Sequence, residues 1–335
     1  MSHLPLLAVT ASLCGVLSAC YDAASSGPSA PNAGATTDAV VALVNNWTTG
    51  SSLSPWRMGM AAGSVGGKIY VVGGRSRSST ALSRVDVYDV ASNSWSSARP
   101  LPARRWIPNG ASMINGKLYV SGGLDPDGTP TKTLFVYDPS TDRWTRKADL
   151  PQPSCGGAQG VISGRLYVYT GCYAKDFAGV FFRYDPSTNG WVKRPAPPVD
   201  HSSGAGGVVD GRFHLVAGFA PGCGGTCDAL GRTHHVYEPG TNSWATRAPI
   251  STIRSGMAAA WLNGQFYVAG GSAEFELAAF EAYDPVANRW TTKASLPRAT
   301  TAGAAATMGG KLFFVSGRDM QSAVTGPSRL YVYTR

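Results

Sequence analysis

The chain of 335 residues has no long segment with convincing helical periodicity, which excludes a helical bundle as its main architecture. Acidic residues are scarce, 20 Asp and Glu against 29 Lys and Arg, and the formal charge is +9. That balance favours anionic partners, although dispersed cations are also what a soluble surface carries. No five or six cations fall in a row, and no positioned helix or aromatic platform is legible, so no nucleic-acid partner is expected. Nucleophile-elbow, phosphate-loop and zinc-protease motifs are missing. Asp125-Pro126-Asp127-Gly128 lacks the later ligands of a calcium loop and reads as a turn. No cofactor is expected.

What the chain has instead is a repeat. Trp47, Trp95, Trp144, Trp191, Trp244 and Trp290 recur at intervals of about 50 residues. Each unit also carries a turn glycine followed seven residues later by a second: Gly67/Gly74, Gly116/Gly123, Gly164/Gly171, Gly211/Gly218, Gly264/Gly271 and Gly310/Gly317. In the second unit Ala111–Ile114 is a short apolar strand, Asn115-Gly116 a strong two-residue hairpin signal, and Lys117–Ser121 the returning strand. Leu134–Asp138 and a strand bearing Trp144 complete four antiparallel strands. The aromatic three residues past each turn glycine is Tyr70, Tyr119, Tyr167, Tyr267 or Phe313, with His214 in the fourth unit. Packing between units is the expected role of these aromatics.

The Gly122-Gly123 doublet, Tyr137 and Trp144 resemble the pattern of kelch-repeat β-propellers, and the likeness covers about residues 47–335. Thr170, Ala217 and Ser316 replace the first glycine of three doublets. The expected fold is all-β, a six-bladed kelch β-propeller. Its last unit stops at Arg335 before an outer strand, whereas Trp47 precedes any hairpin of its own. An N-terminal strand is therefore expected to complete the last blade, which closes the ring and hides sheet edges.

Ahead of the propeller, Leu4–Leu17 is an apolar run too short to span a bilayer comfortably, and it ends in Leu17-Ser18-Ala19-Cys20. This resembles a bacterial lipoprotein signal peptide, which implies an acylated Cys20 and an anchor in the cell envelope. A plain secretory or periplasmic signal is the alternative. Residues 1–19 then form the signal, 20–39 a flexible Ala/Ser/Gly/Pro/Thr tether, and 40–335 the propeller. Membrane contact is expected through the anchor alone, with the propeller a monomer.

Four cysteines remain in the mature propeller. Across the Ser163-Gly164 turn, Cys155 and Cys172 fall opposite each other on a non-hydrogen-bonded rung, where a disulfide is geometrically allowed. Cys223 and Cys227 would close a second, small loop. Zinc held by Cys223, Cys227, His234 and His235 competes, but adjacent histidines on one strand point to opposite faces.

In kelch propellers, ligands gather on the face built by loops entering the inner strands and loops following the glycine doublet. Ten residues before each turn glycine stand Arg57, Trp106, Ser154, His201, Arg254 and Thr300; just after the second glycine come Arg75, Leu124, Cys172, Phe219, Ser272 and Arg318. Arg105 lies beside Trp106. The ligand-binding candidates are Arg57, Arg75, Arg105, Trp106, His201, Arg254 and Arg318, since guanidinium suits carboxylate or phosphate and aromatic faces suit sugar rings. Pairing of the same arginines with loop carboxylates is the competing expectation. The leading functional expectation is a non-catalytic module that binds a protein or an anionic glycan. The alternative is a carbohydrate-active enzyme similar to the six-bladed kelch epimerases and mutarotases acting on sialic acid, although no catalytic residue maps onto this sequence. A copper oxidase related to galactose oxidase is a more distant resemblance.

Overall fold

The computed structural model describes residues 46–172, 179–218, 230–319 and 326–335. Local chemistry sets the strands first. Both central residues of all six inner hairpins have positive φ, from Asn115 at 48° and Gly116 at 73° to Asp210 at 45° and Gly211 at 73°. Such turns match the twist of the strands they join, and Gly, Asn and Asp tolerate the conformation. Register follows from them: Ala158 pairs with Tyr169 and Ile162 with Arg165 in the third unit.

Each unit is a four-stranded antiparallel sheet, and six such sheets form a β-propeller. Blade 1, for example, runs Ala61–Val65, Lys68–Val72, Val85–Asp89 and Ser94–Ala98 from the axis outward. Blades 2 to 5 repeat this arrangement. Blade 6 takes its three inner strands from the C-terminal end and its outer strand, Asn46–Leu53, from the N-terminal side. Asn46 pairs with Thr334 and Gly50 with Leu330, so the expected closure is present.

Apolar residues of neighbouring blades share the cores. Ile69, Val71 and Tyr88 of blade 1 pack with Phe313, Val315 and Leu330 of blade 6. Leu118 and Phe135 of blade 2 join Val72 and Val87 of blade 1. Burial thus stabilises seams, and no blade holds a core of its own.

Two rings of hydrogen bonds tie the seams. In the outer ring the repeated indoles donate to carbonyls of the preceding blade: Trp95 to Ser51, Trp144 to Arg99, Trp191 to Ala148, Trp244 to Pro195, Trp290 to Ala248 and Trp47 to Ala294, all at 2.7–2.9 Å. The inner ring is pure backbone. Gly59 donates its N–H to Ala302, Ala302 to Gly256, Gly256 to Ser203, Ser203 to Gly156, Gly156 to Ile107 and Ile107 to Gly59. All six have left-handed φ, between 44° at Ile107 and 64° at Gly256. Glycine alternates with a side chain around this belt, and at Gly59 and Gly256 there is a steric reason. A Cβ on Gly59 would lie 2.8 Å from Ile107 Cγ2, and one on Gly256 2.7 Å from Thr301 Oγ1.

Candidate functional site

The inner strands surround an axial cavity of about 680 Å³. Its wall is mostly Ala, Gly, Ser and Thr, with Met60, Met257 and Trp261 adding bulk and the belt residues Gly59, Ile107, Gly156, Ser203, Gly256 and Ala302 also in the lining. Small residues follow from packing, because six inner strands converge there. A Cβ on Gly160, for instance, would meet Val208 Cγ2 of the next blade at 2.6 Å. Arg318 is the one ionisable side chain among the described residues of the lining.

At the mouth, loops entering and leaving the blades form two-residue bridges: Met58 with Arg75, Trp106 with Leu124, Ser255 with Ser272 and Thr301 with Arg318. Cys155 and Cys172 fill the same place in blade 3 and are joined by the expected disulfide, with a Cα–Cα distance of 4.7 Å. Cys20, Cys223, Cys227 and Phe219 lie outside the described residues. His234 and His235 bond to different partners, His214 and His201 respectively, in keeping with opposite strand faces. No three His, Cys, Asp or Glu side chains gather to hold a metal ion among the described residues.

The candidate residues separate into two groups. Arg75, Trp106 and Arg318 stand at the mouth, on blades 1, 2 and 6. The Arg75 guanidinium lies over the Trp106 ring at 4.3 Å, and its Nε is buried without a hydrogen-bond partner among the described residues. Arg318 is half-exposed, with Nε 2.8 Å from the buried Glu276 carboxylate. A second stack, which the repeat pattern does not mark, places Arg77 over Trp56 at 4.5 Å.

Arg57, Arg105, Arg254 and His201 are buried inside their blades. Arg57 meets Asp86 at 2.6 Å and donates to the Val71 carbonyl. Arg254 meets Glu281 at 2.6 Å and donates to the carbonyls of Gly270 and Ala279. Burial pulls the Arg254 guanidinium down to about 10, with Glu281 opposing the fall. Burial likewise lowers Arg57, opposed by Asp86. Arg105 donates to the carbonyl of Arg104, and burial lowers it too. Arg57 and Arg254 pin the entering loop to the third strand, and with Arg105 also buried the arginine-rich mouth read from the sequence contracts to Arg75 and Arg318 among the named candidates.

His201 makes the matching contact in blade 4. Its Nδ1–H donates to the Ala217 carbonyl at 2.8 Å, leaving Nε2 to accept from His235 Nδ1 at 2.8 Å. Burial lowers His201 to about 4 and lowers His235 as well, so both rings are neutral near pH 7. Spacing also slips once. Trp106 takes the place of Met58, and Arg105 that of Arg57, because blade 2 carries one more residue between mouth and hairpin.

Comparison with known proteins agrees with this geometry. A family model described as the KLHDC2/KLHL20/DRC7 Kelch-repeats domain matches residues 109–318, and one for the Kelch motif matches residues 57–102. A solved structure titled "Structure of YjhT" is similar with a TM-score of 0.69, covering 85% of this chain and 96% of that one at 17% identity. Likeness at that identity concerns the fold. No curated protein matches the chain. With the repeat domain matched over more than half its length, the chain belongs to the kelch-repeat family.

Proposed function

We propose that the propeller is a non-catalytic binding module whose mouth takes an anionic group of a protein or glycan partner. The supporting observation is the contrast between the Arg75–Trp106 stack and the cavity it borders. Arg75 is a cation without an anionic partner among the described residues, beside a wall whose only described ionisable group is Arg318. A guanidinium held over an indole keeps its N–H donors available to a carboxylate, phosphate or sulfate. General acid–base chemistry would need a titratable group of suitable pKa at the wall, and the buried His201 is engaged elsewhere. Kelch propellers commonly bind proteins, which fits the same mouth. Export and anchoring through an acylated Cys20 would place the module in the cell envelope, with residues 20–39 as its tether.

The test is a thermal-stabilisation screen of the mature protein with acidic sugars, acidic oligosaccharides and neutral counterparts, followed by NMR of any stabilising sugar. Arg75→Ala is expected to weaken an acidic ligand about tenfold or more, the loss of one charge-assisted contact. Wild-type affinity in both Arg75→Ala and Trp106→Ala would refute the mouth as the site. Accelerated anomeric exchange of a bound sugar would replace the module with a carbohydrate-active enzyme.

A further inference from the structure

We propose that the cleft between blades 4 and 5, at the hairpin end opposite the mouth, binds a small oxyanion carrying its own proton, of the hydrogen-phosphate class. The cleft has a volume of about 310 Å³ and is lined by Arg212, His214, Arg247, Tyr283 and Asn288, with Asp210 at the turn on its edge. It is independent of the mouth and of any ligand bound there.

His214 is the informative residue. Blades 1, 2, 3 and 5 carry Tyr70, Tyr119, Tyr167 and Tyr267 at this repeat position, so blade 4 departs from its own pattern. The ring is 1% exposed, and its hydrogen-bond chain fixes the tautomer. His234 Nδ1 faces the Ala248 carbonyl at 3.3 Å and must carry the hydrogen. His234 Nε2 is then an acceptor, so His214 Nδ1, 2.9 Å away, donates to it. His214 Nε2 is left with a lone pair, and it has no hydrogen-bond partner among the described residues. A buried acceptor left in that state costs free energy that a donor would recover.

The rest of the wall offers donors of the opposite kind. Arg212 meets Glu238 at 2.6 Å and Arg247 meets the same carboxylate at 3.1 Å, so two guanidinia share one acid. Arg247 and Arg212 are the charges that add to burial in holding His214 at about 3, and both favour an anion beside it. A ligand must therefore accept from guanidinium and donate to imidazole. Phosphate near pH 7 keeps at least one P–OH for His214 Nε2, whereas sulfate has none. The hydroxyl is the discriminating group.

Titration of the full mature protein with inorganic phosphate and with sulfate, read by nitrogen NMR of labelled histidine rings, tests this. Phosphate is expected to move the His214 Nε2 resonance, with sulfate about tenfold weaker or more, as the loss of one buried hydrogen bond implies. His214→Tyr installs the residue the repeat uses elsewhere and is expected to fold and lose phosphate binding. Arg247→Gln, which leaves the histidines in place, is expected to weaken it as well. Equal affinity for the two anions, binding that survives both substitutions, or an unmoved Nε2 resonance at saturating phosphate would each overturn the proposal.

Discussion

At the scale of single residues, the commitments of charge are the part most exposed to experiment. Asp86 is 1% exposed and is the carboxylate facing Arg57. Asp86→Asn leaves a buried guanidinium without its counter-charge and is expected to cost about 3–5 kcal/mol in urea unfolding. Trp290 is 8% exposed and carries one of the six inter-blade indole bonds. Trp290→Ala is expected to cost about 3–5 kcal/mol in the same measurement, through lost packing and the cavity left behind. Such commitments were hard to read in the sequence. Arg57 looks like a surface cation until Asp86, on the third strand, is brought to it by folding. Arg75 stayed legible because it directly follows its glycine doublet, where the chain turns toward the mouth.

The elements carry the pH and redox behaviour. Blade 4 holds four neutral buried histidines, with His201 lowered to about 4, His214 to about 3, and His234 and His235 below their ordinary value. Well above pH 6.5 neither the folded nor the unfolded state protonates them, and they contribute no pH dependence. Between about 6.5 and 4 the unfolded chain binds protons that the folded blade refuses, so stability falls as pH falls. The expected loss is about 1.5 kcal/mol each for His201 and His214 from pH 6.5 to 5, measured by denaturant titration across that range. A flat profile would contradict the neutral rings, and His201→Asn is expected to reduce the slope. Asp138 and Asp185, held near 2 by Lys117 and Ser187 hydrogen bonds respectively, act in a separate window below about pH 4. In blade 3 the Cys155–Cys172 bridge closes a loop of separation 17. The double change to serine is expected to cost about 3 kcal/mol, read as a lower denaturation midpoint. Hairpins and disulfide register were legible because Gly, Asn and Ser at the turns report a local φ requirement. The slip at Trp106 was not, since an extra residue beside Ile107 and Pro108 alters spacing without altering composition.

For the whole molecule, the closure of blade 6 decides cooperativity. Removing residues 46–53 deletes the outer strand paired along Ser328–Thr334 and the Trp47 indole bond to Ala294. The expected result is a broadened, lower calorimetric transition for the entire propeller; an unchanged melt would mean that the strand is dispensable. Counting repeats made this closure readable, because Trp47 had no hairpin and the last hairpin had no Trp. The inner belt left no such trace. Gly59, Ile107, Gly156, Ser203, Gly256 and Ala302 share a backbone conformation and not a residue type.

That belt has an electrostatic consequence for whatever enters the axis. All six of its N–H groups point the same way around the ring, each toward the preceding blade. Dipoles laid end to end on a closed circle cancel, unlike those aligned along a helix. These six belt peptides therefore have no net dipole in the plane of the ring, and their N–H groups are already spent on one another when an anion arrives. An anion entering there meets side chains, of which Arg75 and Arg318 are the cations among the named candidates.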